Sequence, residues 1–464
     1  MKFKFTIWCL MVCVLGCCAQ PVSPSAVVIR NVNVVTMKGP SDILYHATVV
    51  LNQNRIESVN GTIPEDAAVV DGTDKWLIPG LTDMHVHIPT NLNLMPKLPG
   101  QPADIIFNVQ DLMTPFVASG VTTILNLNAD SGSFYQRGQI ENGTVTGPRM
   151  LLALLIDGGK GKGIRANTPG EGRQTVRVAK AEGYEFIKLY SGLDEDTYNA
   201  IIDEAYKQGL KTVGHIPNVF QSNLQNAFVP HFGLVAHAEE FSKSAVAFTY
   251  DEALRFALMA KNNGTWVSPT LTAMDWIADQ TMSLERLKAS ETLQYVHPLL
   301  QSKWLTANSY NRNSSEESRA YFRKFREFQP LLVRAFKETG VPILAGTDCG
   351  VSGVVAGFSL HDELALLVKA GLTPYEALNS ATNLAALWLG ISSEIGTVEA
   401  GKRADLVLLD ENPLADIANT RKISGVVVNG VWMNQEKIRS LLAALAEKNA
   451  QDKERFDWNK TMKK

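Results

Sequence analysis

Six side chains spread through the chain have types that together make metal chemistry: His85, His87, Lys188, His215, His237 and Asp348. Each lies at or near the end of a short β-branched or apolar run. In His85-Val86-His87 the two imidazoles are two residues apart, so an extended strand points both to one side and forms a clamp for a divalent ion. Nitrogen and carboxylate donors of this kind suit zinc or a similar first-row ion, with positions left for water and substrate. Taken singly, each histidine is more often a satisfied core or surface residue. The joint placement of four of the eight histidines at strand ends reverses that balance. Lys188 fits poorly as an ammonium beside a cation. Carboxylated by carbon dioxide it becomes an anionic carbamate, whose two oxygens bridge two metals about 3.5 to 4 Å apart.

Other candidates are weaker. Tyr190 is two residues after Lys188 and faces the same way, so its hydroxyl is placed to donate to an oxyanion or to a substrate carboxylate, or else simply packs. His361 either touches substrate or caps the helix that starts near Asp362. His46, His231 and His297 have no strand-end placement and read as structural or exposed. Cys349 reads as a buried, inert thiol. The loop Gly158-Gly159-Lys160-Gly161-Lys162-Gly163 is no phosphate-binding P-loop, because neither lysine is followed by Ser or Thr. It reads as a mobile loop touching substrate.

The elements that must hold these groups can be counted. With 464 residues, 45% hydrophobic and 20% charged, the chain has room for one large barrel and a smaller companion. Eight candidate strands follow Pro79: 81–87, 121–127, 149–156, 184–190, 211–216, 234–239, 265–271 and 342–348. Helical stretches such as 103–118, 175–182 and 194–208 separate them. Eight βα units make a (β/α)8 TIM-like barrel, an α/β fold whose site lies at the C-terminal ends of the strands. The barrel is expected over 79–389, with a small β-sandwich domain built from the N- and C-terminal flanks, 26–78 and 390–435. The long stretch 272–341 reads as several helices, either a lid over the mouth or outer packing. Residues 436–464 read as an amphipathic helix that frays.

Four of the five cysteines, Cys9, Cys13, Cys17 and Cys18, crowd the start, so no disulfide framework holds the fold. Met1 to Lys4 is basic and Phe5 to Leu15 is apolar, as in an export signal. Val14-Leu15-Gly16-Cys17 resembles the lipobox of bacterial lipoproteins, which implies lipidation at Cys17 after removal of 1–16. Residues 17–25 are then a tether, and the protein sits in the bacterial cell envelope. A net charge of −3 offers no field for nucleic acid. The expected partners are a small-molecule substrate, a membrane reached through the lipid anchor, and a second copy of the chain.

The ordered set Pro79-Gly80-Leu81-Thr82-Asp83-Met84-His85-Val86-His87, Leu344-Ala345-Gly346-Thr347-Asp348, Ala381-Thr382-Asn383 and Ile395-Gly396-Thr397-Val398-Glu399-Ala400-Gly401-Lys402-Arg403-Ala404-Asp405-Leu406 resembles the amidohydrolase superfamily. Within it the likeness is to imidazolonepropionase and prolidase-like metal-dependent hydrolases. The resemblance runs from Val27 to Asn434. It implies that His85, His87, Lys188 and Asp348 hold one metal, and that the Lys188 carbamate with His215 and His237 holds the other. One departure concerns substrate subgroup: Leu125-Asn126-Leu127-Asn128 stands where many relatives have an Arg-Asp pair.

The chemistry expected is hydrolysis of an amide or other C–N bond, in dipeptides or N-acyl amino acids. Two divalent ions, zinc by their ligands, lower the pKa of a shared water, and Asp348 acts as base and then as acid. Alternatives are a mononuclear deaminase or cyclic-amide hydrolase on the same scaffold, or a non-catalytic binding lipoprotein.

Overall fold

The computed structural model describes residues 26–93 and 101–461. The export signal, Cys17 and the tether lie outside the described residues. Strands β1 (Ala26–Val35), β2 (Ile43–Asn52), β3 (Arg55–Val59), β4 (Ala68–Asp71) and β5 (Trp76–Pro79) open the chain. Next come β6 (Leu81–Val86), the small pair β7 (Asn91–Leu92) and β8 (Ile105–Ile106), then β9 (Val121–Asn126) and β10 (Arg149–Asp157). They are followed by β11 (Ile164–Arg165), β12 (Phe186–Leu189), β13 (Lys211–Gly214), β14 (Leu234–Ala236) and β15 (Trp266–Ser268). The last are β16 (Leu406–Leu409), β17 (Ile423–Val428) and β18 (Val431–Asn434).

The first five and last three strands form one mixed sheet, ordered β18-β17-β16-β5-β1-β2-β3 with β4 beside β1. Its two halves meet where β16 runs antiparallel to β5, Leu406 opposite Pro79. Ile29, Val49, Leu77, Leu406 and Val427 pack into its core. The flanks of the chain are thus joined in one small β-sandwich domain.

The barrel strands run parallel in the order β15-β14-β13-β12-β10-β9-β6. β6, β9, β12 and β14 are buried at every position, as parallel strands covered on both faces must be. Leu125, Leu151, Phe186, Val213 and Leu234 fill the barrel, and Trp388 stacks on Phe186 to plug its lower end. The two-residue period then carries the chemistry: Phe186 and Val213 fill the floor, while Lys188 and His215, two residues later on the same faces, rise into the mouth.

Seven barrel strands are regular, and the eighth segment closes the circle by single bridges. Val267 pairs with Ile343 and Val86 with Cys349. The Leu344 amide donates to Val267 (2.9 Å), and the Met84 amide to Ala345 (3.0 Å). Gly346 permits this approach, since a Cβ there would lie 3.0 Å from the Cβ of His85.

Several element ends differ from the sequence reading. The sixth strand stops at Ala236, because Glu239–Ser242 turns into a short helix. The seventh stops at Ser268, and Leu271 begins the helix Leu271–Met282. The helix expected from residue 103 starts at Val109, capped by Asn108, because Ile105 and Ile106 pair with β7. In the C-terminal tail Gln435–Gln451 is a helix with Ile438, Leu445 and Asn449 buried, and after a turn Trp458–Thr461 forms a short second one. Within the long insertion, Glu316–Thr339 packs against Tyr250–Asn263 and Leu271–Met282 as an outer barrel helix. The stretch from Tyr295 to Trp304 instead walls a cavity beside His87.

Candidate metal centre

A bulge shapes the first ligand pair. Between Asp83 and Val86 the strand β6 spends one residue more than its neighbour β9, so its end is re-aimed into the mouth. His85 Nε2 and His87 Nε2 then stand 3.3 Å apart. Asp348 Oδ1 lies 3.2 Å from the first and 3.0 Å from the second. Donor atoms of these three residues all fall within 4.8 Å of one another. Lys188, fully buried on β12, places Nζ 3.4 Å from His85 Nε2. His237 packs its ring 4.6 Å from that of His85 and 4.7 Å from that of His215. The six residues picked from the sequence therefore converge at one end of the barrel.

The remaining ring nitrogens show which way the imidazoles are turned. His215 Nδ1 is 2.6 Å from Glu240 Oε1, and His237 Nδ1 is 2.7 Å from Thr270 Oγ1. In each case Nε2 is the nitrogen left for a ligand, the arrangement that fixes tautomer and ring direction at metal sites. His85 Nδ1 has no such partner among the described residues. His237, Thr270 and Asp348 all adopt left-handed backbone (φ 77°, 50° and 60°). Such strain in non-glycine residues gathers where side-chain direction matters.

The electrostatics are those of a cage for a cation. Burial drives the His85 and His237 imidazoles well below their ordinary range, and His215 downward, so they are neutral donors at pH 7. Burial also lowers Lys188, against the pull of Asp348, to about 8. Asp348 is buried too, but the surrounding imidazoles outweigh that cost and hold its carboxyl well below the usual range. Nitrogens facing one another across little more than 3 Å, with one carboxylate among them, suit a shared positive ion. The residues present fit a divalent metal ion.

Several functional neighbours escaped the sequence reading. Asp83 Oδ1 accepts from the amides of His85 (3.1 Å) and Thr347 (3.0 Å), and Oδ2 accepts from Thr347 Oγ1 (2.7 Å). It staples the first ligand strand to the segment carrying Asp348, and burial raises its carboxyl to about 7. Glu240 also accepts from the Ile216 amide (3.1 Å) and Lys243 Nζ (2.6 Å). Burial opposes its charge, yet His215 and Lys243 hold it at about 2. The one local signal for Glu240 was a carboxylate three residues after His237.

Tyr190 lies at the centre, its ring 4.3 Å from that of His215. Burial, then the Asp348 charge, raises its phenol. His361 does not reach the mouth. Nδ1 pairs with Thr420 Oγ1 (2.9 Å) and Nε2 with the Ser119 carbonyl (3.0 Å), so the ring ties its helix to the turn before β17 and to the end of the helix Val109–Ala118. Its expected contact with substrate is corrected accordingly. Cys349 is buried and its thiol pushed well up, as expected of an inert group. The loop after β10 is organised by Asp157, which accepts from the amides of Gly158, Lys162 and Gly192 at 2.8 Å each.

Comparison with known proteins adds to this geometry. Residues 76–433 match the model of the amidohydrolase family. The chain belongs to that family. Amidohydrolases are metal-dependent, in keeping with the His85, His87 and Asp348 cluster. An imidazolonepropionase from Thermoplasma volcanium is 37% identical over 87 residues, a match covering 18% of this chain and only 20% of that enzyme. A Xaa-Pro dipeptidase structure superposes with a TM-score of 0.66 at 21% identity, over 88% of this chain and all of the other. Bottromycin amidohydrolase superposes with a TM-score of 0.72 at 22% identity, over 92% and 91% of the two chains. The fold these structures share with it is the TIM-like barrel carrying a small β-sandwich.

Proposed function

We propose that this amidohydrolase is a binuclear enzyme that cleaves an amide or other C–N bond in dipeptides or N-acyl amino acids. The observation that carries the reading is Lys188: a buried amine lowered to about 8, its Nζ 3.4 Å from His85 Nε2 and its strand beside that of His215. A buried amine with so low a pKa spends part of its time unprotonated. Its lone pair then attacks carbon dioxide, forming an N–C bond and losing one proton, and leaves a carbamate in place of a repelled ammonium. His85, His87, Asp348 and one carbamate oxygen would hold one ion, and His215, His237 and the other oxygen the second, zinc suiting the donor set.

When bound, the ions supply a water activated near neutral pH and a Lewis acid for the scissile carbonyl. Asp348 takes the proton of the attacking water and returns it to the leaving nitrogen. The Tyr190 hydroxyl donates to the oxygen that gains charge in the transition state. Glu240 and Thr270 keep His215 and His237 turned toward the centre. The fold shared with a Xaa-Pro dipeptidase and with bottromycin amidohydrolase supports the choice of amide substrates.

Metal analysis of full-length protein prepared with bicarbonate tests the reading. Two ions per chain are expected, with Lys188→Ala losing at least one of them and nearly all hydrolysis of a dipeptide and N-acyl amino acid panel. One ion per chain, with Lys188→Ala fully active, would sink it and favour a mononuclear deaminase or cyclic-amide hydrolase. The envelope placement rests on Leu15-Gly16-Cys17: Cys17→Ser is expected to move the protein from the membrane fraction to the soluble one.

A further inference from the structure

Next to His87 lies a partly open cavity of about 70 Å³, walled by Phe107, Tyr295, Leu300, Trp304, Val354 and Leu445. That is several times the roughly 10–15 Å³ that one water needs. The walls come from the first βα loop, the long insertion, the turn after Asp348 and the C-terminal helix. Stretches so far apart in sequence converge on a single apolar space that shares His87 with the metal cluster.

Several polar groups of the lining are already engaged. Asp111 is paired with Lys448 Nζ at 2.6 Å. His297 stands edge-on between Phe107 (4.8 Å) and Phe456 (4.6 Å), its Nδ1 accepting from the Leu299 amide. Burial lowers it to about 4, so it is neutral at pH 7. Asn449 Nδ2 donates to the carbonyls of Gln294 (2.9 Å) and Val296 (3.2 Å), and Asn108 Oδ1 accepts from the Asp111 amide (3.0 Å). An ammonium or carboxylate entering here would lose its water against a mostly apolar wall. An apolar group would lose nothing and bury its surface.

We propose that this cavity is the specificity pocket of the enzyme, receiving an uncharged apolar side chain of the substrate beside the bond that breaks. The inference rests on the hydrolase reading above and deepens it by naming the side-chain class. Leu300, half-buried on the helix Pro298–Thr306, is the wall residue to vary.

The test compares wild type, Leu300→Trp and Leu300→Ala as metal-loaded full-length proteins on N-acetyl-glycine, -leucine, -phenylalanine, -glutamate and -lysine, with the matching dipeptides. Wild type is expected to favour leucine over glycine by about tenfold or more in kcat/KM, the return from burying extra methylenes, and to take glutamate and lysine worst. Leu300→Trp should collapse the leucine-to-glycine ratio, and Leu300→Ala should shift preference toward phenylalanine. Turnover with no side-chain preference, with a preference for charged side chains, or with a ratio unmoved in both variants overturns the pocket and leaves the hydrolase standing. No turnover of any panel member overturns the hydrolase reading and the pocket with it.

Discussion

Glu240 shows how much of this site depends on residues that never meet the metal. It receives His215 Nδ1, the Ile216 amide and Lys243, and so sets both the direction and the basicity of one imidazole. Glu240→Ala is expected to weaken metal binding about 10- to 100-fold, the usual loss when such a partner is removed. Competition with a chelator reads this directly, and an unchanged affinity would mean His215 is oriented by packing alone. His361 makes the opposite case. His361→Ala strands the Ser119 carbonyl in a buried place, at about 1–3 kcal/mol, while the Thr420 hydroxyl keeps the Ile417 carbonyl. Urea unfolding should show that loss while kcat/KM stays at the wild-type value. The side chains that converge at the mouth were legible because strand ends and a two-residue period expose them. Glu240 was not, since its role comes from a helical turn that interrupts the expected strand.

Two elements at the mouth are joined by a buried carboxyl. Glu363, on the helix Phe358–Lys369, accepts the amides of Leu271 (3.0 Å) and Thr272 (2.8 Å) from the first turn of the helix Leu271–Met282. Burial raises its carboxyl from an ordinary 4.5 to about 8. A raised acid keeps its proton when folded and releases it when unfolded. Its contribution is therefore intact below about 4.5 and lost as pH climbs toward 8. Asp83, raised to about 7, acts in the same direction. The stability that wild type holds over Glu363→Gln should shrink as pH rises from 5 to 8, whereas the buried histidines with lowered pKa act in the opposite direction below about 6.5. A constant difference in unfolding free energy would show that Glu363 is already ionised in the folded protein. Nothing in the local pattern of Phe358–Lys369 marks Glu363, because its partners are about 90 residues away.

On the scale of the whole molecule, the C-terminal helix does more than trail from the barrel. Leu445 and Asn449 are buried against the first barrel helix and the insertion, and Lys448 reaches Asp111. Removing residues 435–464 takes a wall from the cavity beside His87. The truncated protein should melt several degrees lower by calorimetry, and should lose more kcat/KM on N-acetyl-leucine than on N-acetyl-glycine. Equal losses on both would separate the helix from substrate selection.

Donor identities, their order and the architecture that presents them were readable along the chain, because strand period and strand ends are local properties. So was the pairing of the two flanks, which announced themselves as β runs on either side of the βα units. The staple from Asp83 to Thr347 spans 264 residues, and the ion pair from Asp111 to Lys448 spans 337. Neither leaves any periodic trace. The bulge that turns His85 and His87 inward, the closure of the eighth segment by single bridges, and the apolar cavity arise where distant segments are packed at full density. Such contacts are set by the shape of the assembled chain, which no short window of residues contains.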